Sequence, residues 1–250
     1  MNEQINDLYD YVPLKIYQND EYFKFSLDSV LLAEFVRKPD KCKHILELCA
    51  GNCAVSMILS TKTRSKITAV EVQDEIYELG LKSIRYNKLN NQINYVKSNV
   101  KDIDNYFPGN NFDVIVCNPP YFNSKNVDLI NDEKVKAIAR HEILINLEDI
   151  IMISSKMLQL NGEFYLVHKP ERLDEIILLC NKYNLNVKNV QLITTKINRE
   201  PKLVLVRCIK GSRKNLKVLP VVCIDGLNTF KNMFWKEWFY ENSYWFGKSW

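Results

Sequence analysis

The sequence predicts an α/β fold: one seven-stranded, mostly parallel sheet with helices on both faces. Three observations predict it. From residue 43 onward, strand-like and helix-like runs alternate, as in successive βαβ units. Phe112–Cys117 is an almost continuous apolar run, as expected of a strand buried on both faces. The last two strand-like runs have no helix between them, which predicts an antiparallel hairpin at one edge of the sheet.

The elements follow in order. Lys43–Leu48 is a short apolar run that ends close to Gly51. Ala54–Leu59 is apolar and compatible with a helix. Lys66–Val72 is rich in β-branched residues, a strand signal. Asp74–Asn87 has helical spacing, with Ile76, Leu79 and Ile84 on one side. Ile93–Lys97 is a short strand, and Phe112–Cys117 the next. Leu147–Leu160 reads as a helix, and Asn161-Gly162 turns the chain into a strand at Glu163–His168. Glu171–Asn184 is a helix, followed by strands at Val187–Thr195 and Leu203–Ile209. Two segments break the alternation. Asn123–Glu142 is a long polar loop, a candidate lid. Thr229–Trp250 is crowded with aromatic residues and reads as a terminal helix docked on the core, with a base-stacking or partner surface as the alternative.

At 250 residues the chain is long enough for a substantial core, and its 46% apolar and 26% charged fractions are those of a globular protein. No apolar run approaches the ~18 residues of a membrane span, and the N-terminus lacks the apolar core of a signal peptide. Seven cysteines without a Cys-x-x-Cys pair suggest free thiols in a reducing cytoplasm. No metal site is expected, because nothing completes the pair Cys49 and Cys53. The net charge of +4 is uneven. Lys169–Lys217 holds twelve Lys/Arg against four Asp/Glu, a balance of +8 that leaves the remainder at −4. Such a region suits a polyanionic partner or a solvated basic surface.

Asn118-Pro119-Pro120-Tyr121 closes the apolar run at Cys117. An amine conjugated to a ring or carbonyl is a poor nucleophile, and methylating it calls for two acceptors and a flat surface. Asn118 offers a side-chain oxygen. Pro119 offers a carbonyl with no competing N–H on its own residue, and proline holds the preceding residue extended. Tyr121 offers an aromatic face. The alternative is a proline-rich turn after a strand.

Three further segments outline a cofactor site. Glu47-Leu48-Cys49-Ala50-Gly51-Asn52-Cys53 has the outline of a strand-to-helix turn but a single glycine, which argues against a nicotinamide or flavin dinucleotide. S-adenosylmethionine carries no phosphate and needs only close backbone approach at Gly51. Glu71, twenty residues after Gly51, is placed to accept from both ribose hydroxyls. Asn99 offers an uncharged oxygen to an adenine amine, with Asp102 a less well-placed alternative.

With these residues in view, the chain resembles the bacterial tRNA1(Val) (adenine-37-N6)-methyltransferases. The resemblance rests on Gln18, Phe25–Ala33, Glu47–Asn52, Val70–Gln73, Tyr86–Leu89, Asn118–Phe122, Ala139–Glu142, Val167–Leu173 and Lys202–Val206. Asn118–Phe122 followed about twenty residues later by Ala139–Glu142 is its specific part. The resemblance implies a Rossmann-like methyltransferase fold, with S-adenosylmethionine as cofactor and methyl transfer to N6 of an adenine in tRNA; a protein glutamine methyltransferase and a non-catalytic RNA-binding module on the same fold are the alternatives. It implies one domain over residues 1–225, with residues 1–40 closing over the cofactor, a Rossmann-like core at 41–225 and a tail at 226–250. Cofactor contacts are then expected from Phe25, Ser26, Asp28, Glu47, Cys49, Gly51, Glu71, Val72, Asn99, Val100 and Asn118. Asn118, Pro119, Pro120 and Tyr121 are expected at the reacting amine. Phe122, Arg140, His141, Lys169, Arg172, Lys196, Arg199 and Lys202 are expected to meet RNA, with a structural hydrogen bond the alternative for His141. A monomer is favoured over an assembly. Two departures from the family pattern stand out. Cys53 replaces a usual glycine and is expected to crowd the turn and weaken cofactor binding, and Asn99 replaces a usual acid.

Overall fold

The structure, a computed structural model, describes residues 3–9, 12–22, 25–107, 109, 112–121 and 145–224. The loop at 123–142, the aromatic tail and the expected RNA contacts Phe122, Arg140 and His141 lie outside these residues.

Ahead of the core stands a hairpin that the alternation did not reveal: β1 (Glu3–Tyr9) pairs antiparallel with β2 (Val12–Asn19). Helix α1 (Leu27–Phe35) follows. The core runs β3 (His44–Leu48), α2 (Ala54–Ser60), β4 (Lys66–Glu71), α3 (Asp74–Tyr86), β5 (Ile93–Lys97) and β6 (Phe112–Cys117). It continues with helix α4 (Leu147–Met157), β7 (Leu158–His168), helix α5 (Leu173–Lys182), β8 (Leu185–Thr194) and β9 (Leu203–Lys210). Two-residue strands β10 (Lys217–Val218) and β11 (Val222–Cys223) lie along β8.

The seven expected strands stand side by side in the order β8-β9-β7-β6-β3-β4-β5. Strands β3 to β7 are parallel, and β9 is antiparallel to both of its neighbours, β7 and β8. The expected hairpin is therefore present at one end of these seven strands, with its second strand, β9, between β7 and β8. Alternating strand residues feed two cores. Val114, Val116, Tyr165 and Val167 pack toward α1, α2 and α3, whereas Ile115, Cys117, Phe164 and Leu166 pack toward α4 and α5. This two-sided burial explains why the strands read as apolar runs.

One helix boundary differs from the sequence reading. The helix expected to reach Leu160 stops at Met157, because Leu158 turns extended and pairs with Phe112 of β6. The helical pattern of side chains continues, but the pairing of the backbone to a neighbouring strand takes precedence. Asn161, with φ of 63°, then sits inside a bulged strand rather than a turn.

The outer edge of β2 is covered by a helix. Lys15 N donates to Asn87 Oδ1 at 2.9 Å, Asn87 Nδ2 donates to Lys15 O at 2.6 Å, and Tyr17 N donates to Ser83 Oγ at 2.9 Å. Ser83 and Asn87, one turn apart at the end of α3, satisfy backbone groups that an open edge would expose. β2 therefore lies along α3 and leads the chain toward Phe25.

Candidate active site

At the carboxyl ends of β3, β4, β5 and β6 the chain opens a cavity of about 1130 Å³, counted out to its solvent mouth. Open α/β sheets bind ligands at this end. Phe25, Glu47, Cys49, Gly51, Glu71, Val72, Asn99, Val100, Asn118, Pro119, Pro120 and Tyr121, all named as candidate site residues from the sequence, line it. Ser29, Asn52, Gln73, Ile76 and Ile145 also line it and were not predicted. The apolar spacing of the α1 sequence draws attention away from Ser29, and Ile145 lies between the Asn123–Glu142 segment and the helix at Leu147, in neither of the elements read from sequence. Ser26 and Asp28 do not line the cavity. Asp28 instead accepts from the Tyr121 hydroxyl at 2.9 Å, because α1 turns its carboxylate toward the Asn118–Tyr121 segment.

The turn after β3 is built from left-handed residues: Cys49 has φ of 54°, Gly51 56° and Cys53 70°. A Cβ on Gly51 would meet nothing within 4 Å, so glycine serves the backbone angle here rather than a steric gap. Cys53 corrects the crowding expected of it. Its side chain is fully buried in the apolar core and does not line the cavity. Its left-handed angle costs about 1–2 kcal/mol and leaves the cavity clear.

Two carboxylates pin this turn. Glu71 is 4% exposed, and its Oε2 accepts from Gly51 N at 2.8 Å. Its Oε1 accepts from Val72 N at 2.9 Å and Gln73 N at 3.0 Å. It thus fixes the turn and still faces the cavity. Glu47 accepts from Ser56 N at 2.8 Å and from the Ser56 hydroxyl, satisfying an otherwise unpaired donor in the first turn of α2. Burial pushes the Glu47 carboxyl up to about 8, against the two Ser56 bonds and with the Glu71 charge adding to the rise. Asn99 lines the cavity, but its Oδ1 caps the turn at Val100–Asn105 by accepting from Lys101 N at 2.9 Å. One lone pair of that oxygen remains for a ligand.

At the mouth of β6, Asn118 Nδ2 donates to Ser29 Oγ at 3.2 Å, and Asn118 Oδ1 lies 2.6 Å from the Tyr121 hydroxyl. Among the described residues, no donor meets the Pro119 carbonyl. Burial, then the Asp28 charge, raises the Tyr121 phenol well above its ordinary value and keeps it a donor. The Tyr121 ring is not a bare platform. Lys169 Nζ lies 5.2 Å from its centroid, and the His168 ring meets it edge-on at 5.2 Å. His168 is buried, and its pKa falls to about 4, chiefly through burial and then the Arg172 charge. The ring is therefore neutral at pH 7. Its Nδ1 accepts from Lys169 N at 2.8 Å, which places the proton on Nε2.

The basic segment divides between the two ends of the sheet. The register of β9 sets Val204 opposite His168, so the exposed loop bearing Lys196, Arg199 and Lys202 emerges at the cavity end, with Lys169. Arg207 lies toward the other end, paired with Glu163. Arg172, expected at RNA, is held bidentately by Glu175 at 2.8 Å and 2.8 Å. Among the described residues no group of three or more His, Cys, Asp or Glu is placed to hold a metal ion, and no helix is long and apolar enough to cross a membrane.

The family described as methyltransferase small domain matches residues 24–190, from just before Phe25 into β8, and so spans the whole cavity. The chain belongs to the methyltransferase small domain family. Among its relatives, the tRNA1(Val) (adenine(37)-N6)-methyltransferase of Phocaeicola vulgatus is 23% identical over 201 residues, 80% of this chain and 83% of that one. The protein of the same name from Shewanella woodyi is 29% identical over 145 residues, 57% of this chain and 58% of that one. In fold, the chain is similar to a crystal structure described as a predicted O-methyltransferase of Agrobacterium tumefaciens, with TM-score 0.62, 23% identity and coverage of 79% and 86%. It is also similar to geranyl diphosphate C-methyltransferase of Streptomyces coelicolor in complex with S-adenosyl-L-homocysteine, with TM-score 0.53, 10% identity and coverage of 72% and 79%.

The residues present in this small-domain methyltransferase fit S-adenosylmethionine. Glu71 faces the cavity; its Oε1 already accepts from Val72 N, Gln73 N and Gln73 Nε2, and its Oε2, bonded to Gly51 N, has a lone pair left for a ribose hydroxyl. The left-handed Gly51 turn brings backbone close without a phosphate cradle, and the apolar Phe25, Val72, Ile76 and Val100 offer surfaces for an adenine ring.

Proposed function

We propose that this protein is an S-adenosylmethionine-dependent methyltransferase acting on N6 of an adenine in tRNA, namely adenosine 37 of tRNA1(Val). The observation that carries this reading is the convergence of Asn118 and Pro119 on the same cavity as Gly51 and Glu71. The cofactor, when bound, supplies a methyl group on a sulfonium. Phe25, Glu71, Val72 and Asn99 bind and orient it, and Ser26 and Asp28 stand outside the cavity. Asn118 Oδ1 and the Pro119 carbonyl accept the two N–H groups of the target amine and localise its lone pair toward the cavity. The amine attacks while neutral, so no general base has to act first, and a proton leaves afterwards to water. An adenine in an anticodon loop is already partly unstacked, which lowers the cost of presenting it.

The cavity-end cations Lys169, Lys196, Arg199 and Lys202 are the phosphate contacts of this reading. Phe122, Arg140 and His141 are assigned to the RNA as well. The protein works in the cytoplasm, where its free thiols are stable, and residues 1–225 act as one domain. The relatives' common name supports adenosine 37 over a glutamine side chain, the other conjugated NH2 group that such an acceptor pair could hold.

The test is incubation with labelled S-adenosylmethionine and total tRNA lacking the modification, followed by mapping of the labelled nucleoside. Label in N6-methyladenosine at position 37 is expected. Label in protein, or none in nucleic acid, overturns the reading.

A further inference from the structure

We propose that Asp28 is a positioning residue that frees the Asn118 oxygen for the target amine, acting through the Tyr121 hydroxyl. The proposal rests on the amine-methylating reading above. Three oxygens stand in a chain. Asp28 Oδ2 lies 2.9 Å from the Tyr121 hydroxyl, and that hydroxyl lies 2.6 Å from Asn118 Oδ1. A phenol brings one proton to these two gaps. If the proton goes to Asn118, it takes up one of the two lone pairs and weakens the oxygen as an acceptor for the target N–H. If it goes to Asp28, Asn118 keeps that lone pair. The shorter gap has the phenol donating to Asn118 in this structure, and Asp28, a carboxylate and the stronger acceptor, stands 2.9 Å away as the alternative to which the proton can turn. Arrival of an N–H donor at Asn118 Oδ1 then tips the hydroxyl toward Asp28 and leaves that oxygen to the target amine. Ser29, the next residue in the first turn of α1, accepts from Asn118 Nδ2 at 3.2 Å and holds the amide with its oxygen toward the Tyr121 hydroxyl. The first turn of α1 therefore governs the acceptor from both sides, although Asp28 itself does not line the cavity.

The experiment is a double-mutant cycle on the full chain with unmodified tRNA, read as kcat, KM and cofactor Kd. Asp28→Ala is expected to lower kcat about tenfold, the size of one net hydrogen bond, with cofactor Kd changed less than about twofold. In a Tyr121→Phe background, Asp28→Ala is expected to change kcat less than about twofold, because the competing hydroxyl is gone. Asp28→Asn, which keeps the shape and a neutral acceptor, is expected to fall between Asp28→Ala and wild type. It decides the question if the alanine variant does not fold. Equal losses in both backgrounds, or a weakened cofactor Kd with unchanged kcat, overturn the proposal. A second readout needs no turnover: the side-chain amide NMR signal of Asn118, identified by its loss in Asn118→Ala. Asp28→Ala should shift it in the wild-type background and leave it in place in Tyr121→Phe. A shift in both backgrounds, or in neither, overturns the proposal. Wild-type protein that methylates no tRNA overturns the functional reading instead, and the NMR cycle still decides the hydrogen-bond chain.

Discussion

The ring of Tyr95 fills the space that a side chain on Gly80 would need: a Cβ there would lie 2.5 Å from Tyr95 Cε1. Gly80 sits in the middle of α3, a costly place for glycine, yet it lets the Tyr95 hydroxyl reach the Gly51 carbonyl and anchor the cofactor turn. Gly80→Ala gains about 1 kcal/mol of helix propensity. It also forces Tyr95 aside, at about 1–3 kcal/mol for overpacking. A net loss of stability and weaker S-adenosylmethionine binding are expected. Thermal melts and calorimetry check both, and an unchanged cofactor Kd would detach Tyr95 from the site.

Glu71→Ala removes one acceptor from Gly51 N, Val72 N and Gln73 N together. Leaving such donors unpaired costs about 1–3 kcal/mol. Cofactor affinity should fall about tenfold or more, since the ribose loses its carboxylate. Isothermal titration separates this from loss of turnover, because Asn118→Ala is expected to abolish transfer while leaving cofactor binding nearly intact.

Glu47 makes stability depend on pH. Its folded pKa, raised by burial to about 8, lies above the ordinary 4.5. Between these values the folded protein holds a proton that the unfolded chain has lost. Its contribution is therefore fully present below the unfolded value and is lost as pH rises through the folded one. Wild-type Tm should fall relative to that of Glu47→Gln as the pH is raised across this window. A parallel pH dependence in the two proteins would show that Glu47 is not the group responsible.

Lys169 covers the face of Tyr121 on which the target base is expected to stack. Lys169→Ala should weaken tRNA binding at low salt and reduce the slope of log K against log salt by about 1. Arg172→Ala, with its guanidinium already engaged by Glu175, should leave the slope nearly unchanged. Filter binding over a salt series distinguishes the two. Equal slopes for both variants would place Lys169 off the RNA.

The strands around the cavity were legible because burial on both faces writes itself into sequence as apolar runs. Phe112–Cys117 and Ile93–Lys97 were read to the residue. Glu71 and Gly51 were legible because a strand-end acid and a turn glycine keep a fixed spacing in such folds, and Gly51 N does meet Glu71 Oε2. The hairpin at Glu3–Asn19 was not legible, because the partner along its edge is a serine and an asparagine on α3 rather than a third strand. Asp28 was read as a cofactor contact because a motif records residue type and order, and it does not record the direction of a side chain.

Local chemistry along the chain settled the fold class, the position of Asn118–Tyr121 at the end of a buried strand and the outline of the turn at Gly51. Each of these depends on neighbours a few residues apart, so periodicity and spacing carry them. The partners of Asn118 were settled only on folding. Asn118 meets Ser29 across 89 positions of sequence, and Tyr121 meets Asp28 across 93. Contacts at that separation depend on how α1 packs on the sheet, which no local pattern encodes.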